Sequence, residues 1–152
     1  MNRGRPLTPA EVVMLGSFAS QVDLSRVRIY SRQTIFGRVL SVLSRGSAIA
    51  LGFRIVVPGE VLPALLAHEM VHVHQYERWG AVRYLANGFW HQFILRGLLG
   101  RDVYAWEFVS GKSFDQFGME QQGQIVQDCF DPASPKRRVA DRVSPFAPPG
   151  AR

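Results

Sequence analysis

The sequence predicts an α+β fold in which a small N-terminal β-sheet packs on a central helix, and further helices follow. Three observations support this prediction. Alternating and β-branched apolar runs lie in the first part of the chain, a mid-chain apolar stretch carries H-E-x-x-H, and helical spacing dominates afterwards. With 152 residues, 47% of them hydrophobic, the chain is expected to fold around a single core.

The first predicted element is a helix from Pro9 to about Ser20. Thr8 is suited to cap it, Pro9 fits the first helical position, and Glu11 completes a capping box. Apolar residues up to Phe18 give this helix one side that can be buried. We expect its role to be structural.

Two stretches then predict β-strands. Arg26 to Tyr30 alternates polar and apolar residues, as a half-buried strand does. Residues 48–57 are apolar and β-branched enough for one or two further strands, and Pro58-Gly59 turns the chain afterwards. Between these stretches, Ile35 to Leu43 is predicted to form a short amphipathic segment.

Three helices are predicted in the second half of the chain. The first runs from Val61 to about Arg78 and ends where Gly80 can form a C-terminal cap. The second covers Ala81 to Leu98, and its aromatic residues predict core packing. A loop follows, and the last helix spans about Gly118 to Phe130.

The chain after Phe130 has a different composition, rich in Pro, Ala, Ser and Arg, without periodicity. Residues 131–152 are therefore expected to be a disordered or docking tail, and residues 1–130 the folded domain. The net charge is +6, and half of this excess lies in the tail. The basic run Lys136-Arg137-Arg138 is too short to indicate nucleic-acid binding, which remains the least favoured function.

Several classes of protein are excluded by composition. Cys129 is the single cysteine, so an intrachain disulfide and a cysteine-rich zinc motif are ruled out, and a small buried residue is the expected role. The N-terminus lacks the apolar core of a signal peptide. No stretch reaches about 18 uncharged apolar residues, so no membrane span is expected. The chain is expected to be cytoplasmic in the cell that produces it.

The pattern H-E-x-x-H is formed by His68, Glu69 and His72. On a helix, the two imidazoles project about 40° apart on one face, with the carboxylate roughly 100° from the first. Two neutral imidazoles one turn apart suit Zn²⁺, and an adjacent carboxylate can take a proton from water. Burying these three groups without a metal or another partner would be costly.

A catalytic zinc site needs a third protein ligand. Glu120 is favoured because it opens the last helix, where Gln124 and Asp128 follow on its face and can accept a histidine N–H. Gln75 is a further residue that could face the site. His74 lies roughly 240° from His68 and should point away. The further candidates are Glu77, which is too close along the same helix, Asp128, Glu107 and His91, and the last two remain the main alternatives.

These parts predict metal-assisted amide hydrolysis of a protein or peptide substrate. Glu69 would act as the general base, and Tyr104 or His91 could donate a hydrogen bond to the developing oxyanion. The strand at Arg54 to Val57 is a candidate for presenting its backbone to an extended peptide. A strand that is paired on both sides within the sheet is the alternative.

Three segments resemble a known group of proteins. They are RPLTPAEVVMLGSFASQVDLSRVRIYS, LLAHEMVHVHQY and FDQFGMEQQGQIVQDCF, which together cover about residues 5–130. The chain resembles gluzincin-like zincin metallopeptidases, whose third ligand is a glutamate, and among them the small zinc peptidases found with Rhs and VgrG proteins and contractile injection systems.

The resemblance implies a zincin-like fold and a bacterial effector or processing peptidase, exported by a contact-dependent or contractile secretion system. It implies metal roles for His68, His72 and Glu120, with Glu69 as general base. It also implies a secretion component or an immunity protein as partner. Gln124 departs from the pattern, because an acidic residue is common at that position in the group. A catalytically silent adaptor that retains the zinc site is the alternative function.

Overall fold

The computed structural model describes residues 4–31, 34, 38 and 48–150, apart from the side chains of residues 92, 93, 95 and 96. It has the predicted α+β composition. The strands are β1 (Arg28–Ser31), β2 (Ile49–Leu51) and β3 (Arg54–Val57), and the helices are α1 (Pro9–Met14), α2 (Pro63–Trp79), α3 (Ala81–Phe89), α4 (Met119–Phe130) and α5 (Arg137–Val143). Apart from Arg38, the predicted amphipathic segment from Ile35 to Leu43 lies outside the described residues.

The predicted capping box of α1 is confirmed. The Thr8 hydroxyl accepts a hydrogen bond from the Glu11 amide at 3.2 Å, and the Glu11 carboxylate accepts one from the Thr8 amide at 2.7 Å. The helix is shorter than predicted, because it ends at Met14 and a 3₁₀ turn covers Gly16–Phe18. Glycine is a weak helix former, and the tighter turn directs Phe18 into the core.

The sheet has three strands among the described residues, in the order β1-β3-β2. β1 is parallel to β3 and β2 is antiparallel to it, so residues 48–57 form two strands joined at Gly52, whose φ is 62°. Because β3 lies in the middle, its backbone groups are paired on both sides. Of the two alternatives for Arg54 to Val57, the strand that is paired on both sides within the sheet is therefore confirmed, and the strand that presents free backbone groups to a peptide is wrong. β2 is the outer strand on that side.

Helix α2 is the central element of the fold. It begins at Pro63, ends before Gly80, whose φ is 77°, and is buried continuously from Leu66 to Gln75. A helix that is covered all round needs partners on more than one side. Here the outer strand β2 packs on α2, and α4 lies along it more extensively than any other described element.

The helix predicted at Ala81 to Leu98 is present in two parts. It is α-helical to Phe89 and π-helical over Trp90–Leu98, where the Leu99 amide donates to the Ile94 carbonyl. Tyr84 is buried as predicted, but Phe89 and Trp90 are exposed. The described helices include none long and apolar enough to cross a bilayer.

The segment after Phe130 is folded, in contrast to the predicted disorder. Helix α5 packs on α4, and Ala140 is fully buried. Phe146 is also fully buried, and its ring stacks on Phe18 with 4.0 Å between centroids. Seven helical residues are too few to show a clear period, and one phenylalanine among prolines does not reveal that it enters the core. The described part of the tail therefore belongs to the folded unit.

Candidate metal centre

The candidate site lies between the middle of α2 and the first turn of α4. His68 and His72 project from the same side of α2, and Glu120 faces them from α4; all three are buried. Nε2 of His68 lies 3.2 Å from Nε2 of His72. Oε2 of Glu120 lies 3.3 Å from Nε2 of His72 and 3.7 Å from Nε2 of His68. The three side chains named from the sequence are thus brought together.

These separations fit a tetrahedral metal site. Ligand atoms about 2.0–2.2 Å from a zinc ion lie about 3.3–3.6 Å from one another when the angles are tetrahedral. The three measured separations, 3.2, 3.3 and 3.7 Å, fall close to that range. Two imidazole nitrogens and one carboxylate oxygen are also a donor set that zinc accepts. The group could therefore hold a metal ion.

The ring of His72 is oriented by Gln75. Nδ1 of His72 lies 2.9 Å from Oε1 of Gln75. The amide nitrogen of Gln75 donates to the Met119 carbonyl at 3.1 Å, so its oxygen must be the atom that faces His72. Nδ1 of His72 therefore carries a proton in this bond. In the neutral imidazole, Nε2 then carries the lone pair that a metal ligand needs.

The same glutamine connects the two helices. Its amide nitrogen also donates to Oε1 of Gln122 on α4 at 2.9 Å. Gln122 in turn donates to the Phe117 carbonyl at 2.9 Å. Gln75 and Gln122 are both buried, and each bond satisfies a group that would otherwise be costly to bury. This network holds the first turn of α4, and with it Glu120, in register with the histidines.

Gly123 allows α4 to approach the ring of His68. A Cβ atom at this position would lie 2.7 Å from Nε2 of His68 and 2.8 Å from its Cε1. These distances are shorter than van der Waals contact, so a side chain at position 123 would displace the ring or the helix. Glycine is unfavourable in a helix interior, and here close packing against the site gives a reason for its presence.

The ligand groups perturb one another strongly. Burial opposes protonation of His72, but the charges of Glu120 and Glu69 and the bonds to Glu120 and Gln75 outweigh it and raise the pKa of His72 to about 9. Burial alone would raise the pKa of Glu120, but His72 and His68 hold it well below its usual range. A cation bound between these groups would therefore contact the deprotonated carboxylate of Glu120.

Glu69 lies beside this group and faces the sheet. Its pKa is raised, chiefly by burial; the nearby histidines and a hydrogen bond from the backbone of Ala50 on β2 oppose that rise. Oε2 of Glu69 is buried without a hydrogen-bond partner among the described residues. A carboxyl with a raised pKa and a free buried oxygen is suited to accept a proton and release it again.

Tyr84 of α3 closes the sheet side of the site. Its hydroxyl donates to the Ala50 carbonyl at 2.7 Å, and its ring centroid lies 6.5 Å from that of His72. Burial and the charges of Glu69 and Glu120 raise the pKa of Tyr84 far above its usual value. The hydroxyl therefore stays protonated and holds the outer strand β2 against the helices.

The two predicted oxyanion donors both lie near the ligand group. The ring centroid of Tyr104 is 6.1 Å from that of His68. Cε1 of His91 lies 3.2 Å from the position of a Cβ on Gly118, two residues before Glu120. Burial lowers the pKa of His91, although the charge of Glu120 opposes this, so the ring is neutral at pH 7.

Other candidates from the sequence lie away from the centre. Glu107 is exposed, and His91 is not part of the converging group, so neither alternative third ligand joins the histidine pair. His74 faces Phe146, as its position on the helix predicts. Burial raises the pKa of the Cys129 thiol to about 12, consistent with an unreactive core residue.

The predicted orientation of the histidines by Gln124 or Asp128 is wrong. Asp128 accepts hydrogen bonds from Nε1 of Trp106 at 2.8 Å and from the Ser134 hydroxyl at 2.9 Å, and the Gln124 amide points to it at 3.4 Å. These bonds attach the loop and the tail to α4. The residue that orients His72 is Gln75, which lies three positions after it on the same helix.

Three residues that help to form the site were not identified from the sequence. Gly123 could have been recognised, because it is a helix-interior glycine three positions after Glu120. Gln122 could not, since its hydrogen bonds depend on how α4 packs against α2. Tyr84 was assigned to the core, and its hydroxyl bond to β2 depends on strand order, which the sequence does not specify.

Comparison with known proteins gives two related similarities. No family model matches the chain. The chain is 28% identical over 144 residues to VgrG2b, a type VI secretion system spike protein of Pseudomonas aeruginosa; the match covers 84% of this chain and 13% of that protein. The solved effector domain of VgrG2b matches with a TM-score of 0.65 and 26% identity, covering 90% of this chain and 79% of that domain. The chain therefore resembles one domain of a much longer spike protein.

Proposed function

We propose that this protein is a zinc-dependent endopeptidase with a zincin-like fold, used as an effector in type VI secretion. The observation that carries the proposal is the convergence of His68, His72 and Glu120 at separations that fit tetrahedral zinc. The buried carboxylate of Glu69 lies beside them, between the ligand group and the outer strand. Together these groups form the ligand set and general base that hydrolysis of an amide requires.

His68, His72 and Glu120 would hold the zinc ion, and Gln75 would fix the ring of His72. When bound, zinc supplies Lewis acidity, which lowers the pKa of a coordinated water and polarises a carbonyl group. The buried setting strengthens these electrostatic effects, because few water molecules screen them. The pKa of His72 without metal lies near 9, so zinc must displace a proton there and binds more tightly as the pH rises.

Glu69 is the proposed general base. Its buried oxygen would take a proton from the attacking water and pass it to the nitrogen of the leaving amine, so that one residue serves both steps. The hydrogen bond from Ala50 orients the carboxylate. Tyr104 lies near His68 and His91 lies near Gly118, and one of them could donate to the developing oxyanion.

The outer strand β2 is the proposed guide for the substrate. β2, unlike β3, lies at an edge of the sheet among the described strands, and it packs on α2. A substrate that reaches this edge would lie close to Glu69, because the Ala50 amide donates to Glu69 and the Ala50 carbonyl accepts from Tyr84. An extended peptide would have to replace these two bonds to pair with the backbone of Ala50. An unfolded or extended protein segment that replaces these bonds is the proposed substrate.

The proposed role in secretion rests on the similarity to VgrG2b. We infer that the domain acts after delivery by a VgrG-type spike, and that an immunity protein protects the producing cell. A catalytically silent adaptor is the second candidate, and one observation favours it. The ion pair of His72 with Glu120 at 3.3 Å satisfies both groups in the absence of metal, so the site could serve only to join α2 to α4.

Metal content and proteolysis measured on the same samples test the proposal. The wild type should bind one zinc ion per chain and cleave an unfolded protein such as casein. Glu69→Gln should keep the zinc and lose about a hundredfold or more in cleavage rate, the usual contribution of a general base. Glu120→Gln should lose both. Glu107→Gln is the matched control, because this carboxylate is exposed, and it should retain both.

Two outcomes separate the candidates. Stoichiometric zinc without cleavage of casein, of secretion components or of the chain itself would favour the adaptor. Cleavage that survives Glu69→Gln would remove the peptidase assignment, whatever the metal content.

A further inference from the structure

The backbone of Ala50 is held by two side chains from different helices. Tyr84 of α3 donates its hydroxyl to the Ala50 carbonyl at 2.7 Å. The Ala50 amide donates to the carboxylate of Glu69 on α2. In an antiparallel pair, successive residues direct both backbone groups alternately toward and away from the partner strand. Ala50 therefore directs both of its groups away from β3, toward α2 and α3.

Ala50 is also the residue of β2 at which a further strand would have to pair. β2 lies at an edge of the sheet among the described strands, and it has three residues. The alternation directs the backbone groups of Ile49 and Leu51 toward β3. A peptide added along this edge would therefore use the amide and the carbonyl of Ala50. Tyr84 and Glu69 occupy the two positions that a substrate backbone would take.

This arrangement is closed to solvent. Ala50, Glu69 and Tyr84 are 3%, 4% and 5% exposed. A peptide can reach the Ala50 carbonyl only after the ring of Tyr84 has moved aside. Val82 and Leu85, which lie near Tyr84 along α3, are 85% and 51% exposed, so this part of α3 is less firmly packed than the buried middle of α2. Tyr84 is therefore the partner of Ala50 that can move with the smaller loss of packing.

We propose that the Tyr84 hydroxyl sets the affinity of this protein for an extended peptide. The peptide N–H takes the Ala50 carbonyl from Tyr84, and the peptide C=O takes the Ala50 amide from Glu69. Two internal hydrogen bonds are exchanged for two bonds to the peptide, so the apparent affinity is reduced to the fraction of molecules in which Ala50 is open. The exchange also releases the Glu69 carboxylate from Ala50 when the peptide is in place. The role of Tyr84 rests on the proposed peptide substrate, but binding and cleavage can be measured separately.

Binding of fluorescein-labelled β-casein, an unfolded protein, tests the proposal in variants that do not cleave it. In Glu69→Gln with zinc present, the side-chain oxygen can still accept from Ala50, so this variant is the reference. Adding Tyr84→Phe should lower the Kd for casein about three- to tenfold, the usual effect of one hydrogen bond. Glu69→Ala removes the acceptor of the Ala50 amide without changing Tyr84. It should lower the Kd by a similar factor relative to Glu69→Gln.

Tyr76→Phe is the matched control for Tyr84→Phe. Tyr76 is the neighbouring tyrosine on α2, with 5.6 Å between the two ring centroids, and the change again removes one hydroxyl. It should leave casein binding unchanged. In the otherwise wild-type protein, Tyr84→Phe should lower the KM for casein about three- to tenfold and change kcat by less than about twofold. Damage to the structure of the site would instead lower kcat or raise KM.

Three outcomes would overturn the proposal. They are a Kd that Tyr84→Phe leaves unchanged or raises, a Kd that falls equally in Tyr76→Phe, and no casein binding by any variant. Tighter casein binding in Tyr84→Phe, without any cleavage by the wild type, would support the role of Tyr84 and remove the peptidase assignment instead.

Discussion

His72 and His74 are two positions apart on α2, and their environments are opposite. His72 bonds to Gln75 and faces Glu120, and its pKa is raised to about 9. His74 lies against the ring of Phe146, with 5.3 Å between ring centroids, and burial and the charge of Arg78 lower its pKa. Both side chains are buried, so burial alone does not determine the charge of either.

The difference shows that the two sides of α2 have different roles. The side that carries His68 and His72 gathers charge and hydrogen bonds around the candidate metal centre. The side that carries His74 packs against the tail and Phe18 and contributes apolar contacts. Substitutions on the tail side should therefore reduce stability and spare metal affinity, whereas substitutions on the site side should reduce metal affinity more than stability.

The largest loss of stability is expected for Phe146→Ala. The ring is fully buried and stacked on Phe18, so its removal should cost about 3–5 kcal/mol of unfolding free energy. Zinc affinity should be unchanged at temperatures where the variant stays folded. Urea unfolding with a zinc titration measures both quantities. Phe108→Ala is the control, because this side chain is 51% exposed, and it should change stability by less than about 0.5 kcal/mol.

An unchanged urea midpoint for Phe146→Ala would mean that the tail does not pack as described. That result would instead support the disordered tail that the composition of residues 131–152 predicts.

The largest loss of zinc affinity among non-ligand residues is expected for Gly123→Ala. The new methyl group would lie under 3 Å from three atoms of the His68 ring. We expect zinc affinity to fall about a hundredfold and stability to fall by about 1–3 kcal/mol from overpacking. Gly88→Ala is the matched control, because Gly88 is also helical and has no heavy atom within 4 Å of its Cβ position. It should be neutral or stabilising by up to about 1 kcal/mol.

Equal zinc affinities for the two alanine variants would contradict the close approach of α4 to His68. Isothermal titration with zinc, after removal of metal by a chelator, provides the comparison.

The sequence predicted those features that depend on local spacing. The capping box at Thr8, the extent of α2 and the alignment of His68 with His72 follow from residues within one or two turns of each other. Glu120 could be predicted as the third ligand because it opens a helix and carries the most suitable carboxylate among the remaining candidates. Its distance from the histidines could not be predicted, since it depends on how α4 crosses α2.

Features that depend on distant pairing were predicted less well. The sequence left open whether β3 presents free backbone groups or is paired on both sides, and the parallel pairing with β1 shows that it is paired on both sides. Gln75 was one of several polar residues near the motif, and its role became clear only when Met119 and Gln122 were found to fix its amide. The fold of the tail depends on Phe146 reaching Phe18, which is distant in the sequence.

A smaller loss of zinc affinity is expected for Gln75→Leu. Leucine preserves the volume but leaves Nδ1 of His72 and Oε1 of Gln122 without their partner. Loss of a residue that orients a ligand typically costs 10- to 100-fold in metal affinity, and the unpaired buried groups should cost about 1–3 kcal/mol of stability. Gln127→Leu, on α4 and not part of this network, is the control. If zinc titration gives Gln75→Leu and Gln127→Leu the same zinc affinity, that result would contradict the orienting role of Gln75.

The difference between the two histidines can be tested by pH in the metal-free protein. The folded pKa of His72 lies above its ordinary value of 6.5, so its contribution to stability is complete below pH 6.5 and is lost as the pH rises through about 9. The folded pKa of His74 is lowered, so its contribution is complete above pH 6.5 and is lost as the pH falls. His72→Gln should therefore flatten the alkaline side of a stability profile, and His74→Gln the acidic side. Histidine ring resonances followed by NMR should titrate in the same order, and two curves with a common midpoint would show that Glu120 and Phe146 do not create different environments on α2.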